Sequence, residues 1–246
     1  KADVKEKVRK AKEYAGATLK DYYAFKFWEI DEAEQKTYFT QKDSNKISAF
    51  IDDLANMRDS YGGTRTFTTH AGNQISLSTN KYGWKVNREQ SVAELTQAIA
   101  EGKQGEMELV YSKKAKGTGK NDLGDIYIEI SIKDQTMWCY KNGEVYVETP
   151  IVSGTESDPD RATPRNGCWY IYKKSTEYTM KGPIQEDGEP EYTAFVHYWM
   201  PFNGGVGIHD LASRGNNFGG SIYIYNGSHG CINTPYNAVK KIFEVV

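Results

Sequence analysis

A short segment near the end of the chain carries the residue types of a nucleophilic site. It is Ser228-His229-Gly230-Cys231-Ile232-Asn233, and a second histidine, His209, precedes it. A free thiol is only a few per cent ionised at neutral pH, so cysteine chemistry needs a nearby base or cation. Here the sequence offers a sulfur, two imidazoles and a glycine that lets the backbone bend. The segment therefore predicts cysteine acyl transfer, with Cys231 as the nucleophile and His209 as the base.

The position of Cys231 separates it from the other two cysteines. Cys139 and Cys168 stand beside aromatic residues in strand-like runs, which predicts packing roles for both. Cys231 follows Gly230 and is soon followed by Thr234-Pro235, a typical helix start. We therefore expect Cys231 to lie just before a helix N-terminus, where the helix dipole lowers the pKa of a thiol.

The residues around Cys231 are candidates for supporting roles. The amides of Gly230, Cys231 and His229 are predicted to form the oxyanion hole, because glycine allows backbone angles that aim consecutive N–H groups inward. Ser228 and Asn233 are predicted to hold this turn by bonding local backbone. His229 has three possible roles, which the sequence leaves open: a second base, a cation that stabilises the thiolate, or a scaffold residue.

A run of large side chains lies shortly before His209. Trp199, with Tyr198 and Met200, is predicted to line a substrate groove; a packing role is the alternative. Asp210 is of the type that orients an imidazole in catalytic triads. Adjacent residues on a strand point to opposite faces, however, so the Asp210 side chain is not expected to reach His209. His197 shows no partner in the sequence and is predicted to be structural or solvated.

Composition excludes several classes of protein. The chain has 246 residues and a formal net charge of −2, which argues against a nucleic-acid partner. It contains no apolar run long enough to span a bilayer, and its three cysteines form no disulfide framework. The first residues lack Met and the apolar region of a signal peptide, which suggests a fragment of a longer protein. We expect a monomer without a metal or cofactor.

The first half of the chain is predicted to be α+β. Apolar residues recur at helical spacing in 1–20 and 44–58, and a capping box at Ser91 predicts a helix ending at Ala100. Two strands are predicted at 64–69 and 74–78. The Lys- and Gly-rich stretch 113–121 is the predicted linker. It separates an α+β accessory domain, 1–120, from a second domain, 121–246.

The second domain is predicted to be mainly β, a sandwich or open barrel that carries its chemistry on loops. Isoleucines alternate with polar residues over 126–132, and Asn142-Gly143 predicts a tight hairpin. The remaining elements are strands predicted at 168–173, 193–199, 205–208 and 221–225, and a closing helix at 235–245.

These residues together resemble a known family. His209 followed by Ser228-His229-Gly230-Cys231-Ile232-Asn233 is similar to the signature of the L,D-transpeptidases, the YkuD-type catalytic domain. The resemblance extends over roughly 122–246. The first half resembles the accessory peptidoglycan-binding-like domain of some Gram-positive members, most clearly at Tyr82-Gly83-Trp84-Lys85-Val86-Asn87.

The resemblance implies a reaction and a location. Cys231 would attack the carbonyl between the third residue and D-Ala of a peptidoglycan tetrapeptide stem, with His209 exchanging the proton. An amine of a neighbouring stem would then resolve the thioester into a 3→3 crosslink. Members of the family are typically acylated by carbapenems. The resemblance also implies an extracytoplasmic protein of a Gram-positive source, anchored at its N-terminus in the full-length form.

Three alternatives remain at this level. The same site could hydrolyse the thioester, as an L,D-carboxypeptidase or another cysteine hydrolase. His209, His229 and Cys231 are atom types that zinc prefers, although their spacing fits no common structural zinc pattern. The accessory half would also suit a non-catalytic wall-binding protein.

Overall fold

The structure is a computed structural model that describes residues 41–103, 107–117 and 122–246. The helix predicted at 1–20 lies outside these residues. The elements, in chain order, are α1 (Gln41–Arg58), β1 (Arg65–Thr68), β2 (Gln74–Leu77), β3 (Thr79–Asn80), β4 (Lys85–Val86), α2 (Arg88–Ala100), β5 (Tyr111–Lys113), β6 (Ile126–Ser131), β7 (Thr136–Lys141), β8 (Glu144–Pro150), β9 (Gly167–Cys168), β10 (Ser175–Lys181), β11 (Thr193–Asn203), β12 (Val206–Asp210), a 3₁₀ turn (Ala212–Arg214), α3 (Ile222–Asn226), β13 (Ile232–Thr234) and α4 (Tyr236–Val245).

Tertiary contacts divide the described chain into two compact units. The first contains the described residues up to Tyr61 together with Gly83–Lys114, and the second contains Gly62–Tyr82 and Ala115–Val246. The contacts thus group β1 and β2 with the later strands, whereas the sequence analysis places them before a boundary at residue 120. That boundary stays a prediction. The predicted fold class, α+β elements followed by a mainly β part with a closing helix, is confirmed.

The first unit packs α1 and α2 around a small core with the antiparallel pair β4–β5. Its centre is formed by Ile51 and Leu54 of α1 and Leu95 of α2. Helix α2 begins earlier than predicted because the Asn87 side chain caps it, accepting a hydrogen bond from the Gln90 amide at 3.1 Å. Ser91, the predicted cap, is instead buried inside the helix, where its hydroxyl accepts from Val110 N.

The second unit contains two principal sheets. Strands β6, β7 and β8 form an antiparallel meander, and its hairpin turns at Asn142-Gly143 with φ of 54° and 83°, as a two-residue turn of this type requires. Strands β10 to β13 form a four-stranded sheet in sequential order. All its pairs are antiparallel except β12 with β13, which run parallel.

The larger apolar core of this unit lies between the two sheets and α4. Strands β7 and β8 contribute one side of it, and Met200, Ile208 and Ile232 contribute the other. Helix α4 closes the core with Val239 and Ile242. This packing holds one face of β11, β12 and β13 against the core, and their opposite face carries the candidate site.

Two predicted strands of the second unit differ in the structure. The run 221–225 forms helix α3, and of 168–173 only Cys168 lies in a strand, the two-residue β9. Alternating Ile and Tyr in 222–225 imitates a strand pattern. In α3, however, no residue is buried and Tyr225 is 84% exposed. The alternating pattern therefore does not reflect burial of one face of a strand.

Gly154 should be intolerant of a side chain. A Cβ at this position would meet backbone atoms of Arg161 and Thr163, from the same loop, and of Gly230, from the turn before β13. We expect Gly154→Ala to lower the free energy of unfolding by about 1–3 kcal/mol, the usual cost of overpacking. Thermal or urea unfolding measures this. Gly63→Ala is the matched control because no atom lies within 4 Å of its Cβ; equal stability of the two variants would contradict the packing described.

Candidate active site

The parallel pairing of β12 with β13 places Cys231. Ile208 pairs with Ile232 and His209 with Asn233, so Cys231, just before β13, lies beside Gly207. A three-residue strand separates Cys231 from α4, which begins only at Tyr236. The prediction that Cys231 lies at a helix N-terminus is therefore wrong.

The Cys231 thiol is buried beside apolar side chains. Its side chain is 9% exposed and packs against Trp199 and Val196. Burial raises the pKa of Cys231 to about 11, opposed only by a hydrogen bond from the Gly207 amide. The Sγ donates a weak hydrogen bond to the Gly205 carbonyl at 3.6 Å. At neutral pH the resting cysteine is a neutral thiol, so nucleophilic chemistry requires a base to remove its proton.

His209 lies on the same face of the sheet as Cys231. It is two residues beyond Gly207, the neighbour of Cys231, and side chains two apart on a strand share a face. Its ring is buried beside Trp199, with 5.7 Å between ring centroids. The Nδ1 atom is 2.7 Å from the Asp210 carbonyl oxygen, which can only accept, so Nδ1 carries a proton.

The protonation of His209 is biased toward the neutral form. Burial lowers the pKa of His209, and the charge of Arg214 lowers it further. The hydrogen bond and charge of Asp210 act in the opposite direction without overcoming burial. A buried neutral imidazole keeps one nitrogen lone pair, which is the property that a general base needs.

The Asp210 carboxylate points away from His209, as predicted, and fastens β12 to β11. It accepts from the amides of His197 and Tyr198, both at 2.9 Å, and lies 2.7 Å from His197 Nδ1. Burial alone would raise the pKa of Asp210, but these hydrogen bonds leave it below its usual value. Asp210 was not predicted as the partner of His197. Nor was the role of its carbonyl, because a backbone group leaves no trace in residue type.

Ser228 organises the turn before the nucleophile. Its hydroxyl donates to the Cys231 carbonyl at 2.6 Å and accepts from the Gly230 amide at 3.1 Å. Ser228 thus bonds the backbone on both sides of the turn. The Gly230 amide is therefore already engaged, so its predicted place in an oxyanion hole is wrong for this arrangement. Gly230 has φ of 108°, a conformation that favours glycine.

Asn233 links His209 to a charged residue that the sequence analysis did not identify. Its backbone pairs with Val152, and its amide lies between His209 and Arg214. When the amide is oriented to satisfy both neighbours, Asn233 donates to His209 Nε2 at 3.2 Å and accepts from Arg214 Nε at 2.7 Å. The Asn233 side chain thus contacts the imidazole and Arg214, whereas a bond to the local backbone was predicted.

His229 belongs to a surface network. Its ring packs against Tyr192 with centroids 4.6 Å apart, and its Nε2 lies 3.5 Å from Glu191 Oε1. The same carboxylate oxygen accepts from Arg161 Nη2 at 2.8 Å. Burial raises the pKa of Tyr192, and the proximity of Cys231 raises it further. Of the three roles considered for His229, these contacts favour that of a scaffold residue.

Of the three residues predicted to line a groove, only Trp199 lies beside the site. Trp199 covers Gly207 and contacts the site, and it stacks on Tyr178 at 5.9 Å. Met200 is fully buried in the core, and Tyr198 packs against Phe243 of α4, so neither lines a groove beside Cys231. The proximity of Trp199 to the site follows from its pairing with His209 across β11 and β12.

In the described part of the chain, His209, His229 and Cys231 do not come together as ligands of a zinc ion. His209 and His229 face different partners, Asn233 and Glu191 respectively. Over residues 41–103, 107–117 and 122–246, no group of three His, Cys, Asp or Glu side chains is placed to hold a metal ion. Within the same residues, no helix combines the length and apolar character needed to cross a membrane.

The mainly β unit carries a cysteine and a histidine on one face of its sheet, and comparison with known proteins gives its family. Residues 125–246 match the family described as the L,D-transpeptidase catalytic domain, and residues 3–108 match a putative peptidoglycan binding domain. The chain belongs to the L,D-transpeptidases and is an enzyme of that family. Its two domain types indicate that it acts on peptidoglycan, outside the cytoplasm.

Solved structures of similar proteins agree. A mutant of the Enterococcus faecium L,D-transpeptidase is 32% identical, with a TM-score of 0.67 over 83% of this chain and 79% of that one. The Ldtfm–avibactam carbamoyl enzyme is 30% identical, with a TM-score of 0.68 over 88% of this chain and 85% of that one. No curated protein matches the sequence.

Asp210→Asn should weaken the fold in a pH-dependent way. Because the folded pKa of Asp210 is lowered, its carboxylate stabilises the fold fully above the unfolded pKa of about 3.9, and this contribution is lost as the pH falls from that value through the lower folded pKa. We expect the variant to lose about 1–3 kcal/mol at pH 7 and the difference from wild type to shrink below about pH 4. Urea unfolding at several pH values measures both. Asp160→Asn, at an exposed position, is the control; a pH-independent difference would contradict this account.

Alkylation of Cys231 should depend steeply on pH. With a pKa of about 11, the thiolate fraction rises about tenfold for each pH unit between pH 7 and pH 9. The measurement is the rate of iodoacetamide modification by intact mass, after subtraction of the rate in Cys231→Ala to remove the other two thiols. A flat rate over this range would mean that the resting thiol is already ionised.

Proposed function

We propose that this L,D-transpeptidase forms 3→3 peptidoglycan crosslinks through a thioester on Cys231. The observation that supports this is the placement of Cys231 and His209 on one face of two adjacent parallel strands, both in contact with Trp199. No other cysteine shares a face with a histidine in the described β10–β13 sheet, since Cys139 lies in the core and Cys168 in β9.

The proposed acylation begins with proton transfer. His209 Nε2 holds the ring's lone pair because Nδ1 donates to Asp210. At rest this lone pair accepts from the Asn233 amide, so Nε2 exchanges that bond for the thiol proton as the sulfur attacks the stem carbonyl. The peptide bond between the third residue and D-Ala then breaks. The leaving amine of D-Ala takes the proton from His209, and the acyl group remains on Cys231 as a thioester.

The second half-reaction reverses the roles. The amine of a neighbouring stem's third residue attacks the thioester, loses a proton to His209, and forms the crosslink while the thiol is regenerated. Since the Gly230 amide is bonded to Ser228, the amides of His229 and Cys231 are the remaining members of the predicted oxyanion donors. Trp199 is proposed to cover the acyl group.

The carbamoyl structure of a relative supports reactivity toward acylating inhibitors. The Ldtfm–avibactam enzyme is named as a carbamoyl enzyme, so a protein 30% identical to this chain is modified covalently. We propose that carbapenems acylate Cys231 in the same way. The proposal also includes tetrapeptide stems as donors, an amine acceptor, and a monomeric enzyme. The N-terminal anchor and the Gram-positive source stay predictions.

Replacement of the two proposed catalytic groups should have distinct effects. We expect wild type to gain the mass of a carbapenem and Cys231→Ala to gain none, because the sulfur that forms the thioester is gone. His209→Gln should still be acylated, about 10²–10⁴-fold more slowly, because only the proton acceptor is lost. Intact-mass kinetics measures both. Adduct formation on Cys231→Ala would contradict the assignment of the nucleophile.

The outcome with a natural substrate tests the type of reaction. Incubation with a disaccharide tetrapeptide should give crosslinked dimers and free D-Ala by mass spectrometry. Tripeptide alone would identify a hydrolase using the same site. Crosslinking that persists in Cys231→Ala would remove Cys231 from the mechanism, and binding without turnover in wild type would favour a wall-binding role.

A further inference from the structure

A chain of three side chains leads from the surface to the proposed base. Arg214, at the end of the 3₁₀ turn after β12, donates to the Asn233 side-chain oxygen from Nε at 2.7 Å and from Nη2 at 3.3 Å. The Asn233 nitrogen donates to His209 Nε2 at 3.2 Å. The other ring nitrogen, Nδ1, donates to the Asp210 carbonyl at 2.7 Å.

The direction of every bond in this chain follows from its two ends. A guanidinium carries donors only, so the oxygen of the Asn233 amide must face Arg214. The amide nitrogen, which can only donate, must then face His209. His209 Nε2 is left to accept and Nδ1 to donate, which is one of the two neutral tautomers. An imidazolium would set an N–H of Nε2 against the N–H of Asn233.

Two charges act on His209 in opposite directions, since that of Asp210 raises its pKa and that of Arg214 lowers it. On β12 the Asp210 carboxylate turns away and is taken by His197 and two β11 amides. From β11 the ring meets Trp199, which is uncharged. From the β13 side it meets Asn233 and, on the same face, the neutral thiol of Cys231. Arg214 is the cation whose charge lowers the pKa of His209, and the ring is 2% exposed.

We propose that Arg214 is a positioning residue of the active site, which acts through the Asn233 amide to hold His209 as the neutral tautomer with its lone pair on Nε2. The catalytic consequence rests on the proposed function of His209 as the base. In the resting enzyme, cysteine and histidine are then both neutral. The proton moves only when the sulfur attacks, rather than residing beforehand on the imidazole as part of a thiolate–imidazolium pair.

Replacement of Arg214 tests the proposal directly. In Arg214→Met the Asn233 amide can rotate, and its oxygen can accept from a protonated Nε2. We expect the pKa of His209 to rise by about one unit, since a nearby positive charge is removed. ¹⁵N NMR of histidine-labelled protein measures this pKa and the tautomer; His209→Gln assigns the signal among the four histidines. The low-pH limb of carbapenem acylation should move upward by the same amount.

Three further variants separate a relay from a distant charge effect. Arg214→Lys keeps the charge and a donor, and should leave the pKa of His209 near that of wild type. If Arg214 acts through Asn233, the shift caused by Arg214→Met should be much smaller in an Asn233→Ala background, as a double-mutant cycle shows. Arg88→Met, which removes the same charge from the first unit, should cause no shift.

The two proposals fail in different ways. A wild-type His209 whose neutral form carries its proton on Nε2, or a pKa that is unchanged in Arg214→Met, would overturn the role of Arg214 whatever the enzyme's activity. A shifted NMR pKa with an unshifted acylation profile would keep the relay and remove His209 as the base. Circular dichroism of each variant checks that the fold is intact, and Arg214→Gln provides a second neutral replacement if Arg214→Met does not fold.

Discussion

The parallel pairing of β12 with β13 is the constraint on which the site depends. The two short strands, which are separated along the chain by the 3₁₀ turn and α3, bring His209 beside Asn233 and Cys231 beside Gly207. A shift of one residue would turn Cys231 into the core and Ile232 toward the site, because side chains alternate between faces. The register is held on the core side by Ile208 and Ile232, which are almost completely buried. Apolar packing on one face therefore sets the geometry of chemistry on the other.

The hydrogen bonds of the site are arranged around backbone groups more than around charged side chains. Asp210 offers its carbonyl to His209 while its carboxylate binds β11, and Ser228 holds the carbonyl of Cys231 and the amide of Gly230. Such groups cannot change their charge or leave with solvent. They keep the ring and the turn in place without placing a negative charge next to the thiol, which would oppose its ionisation.

Much of this architecture was predictable because it depends on local patterns. The alternation in 126–132 and the Asn142-Gly143 turn define β6 to β8, and the Ser-His-Gly-Cys segment with His209 identifies the two central side chains. Helix α3 was missed because its Ile and Tyr residues imitate a strand pattern without a sheet to bury them. Met200 was predicted to line a groove but is buried in the core. The sequence does not show which face of β11 packs against the core, and that face decides whether a residue is buried. Arg214 and Glu191 lie in polar loop sequences, where type and spacing carry no information about the partner across space.

The burial of Cys231 has a consequence for how long the enzyme survives where it works. Oxidation of cysteine to sulfenic and higher acids proceeds through the exposed thiolate. Burial keeps the Cys231 sulfur protonated and 9% exposed at rest, and it raises the pKa of Cys139 and Cys168 as well. A protein outside the cytoplasm lacks the reducing systems that repair thiols inside it. The burial that keeps the Cys231 thiol protonated until a substrate binds thus also protects its sulfur against peroxide between turnovers.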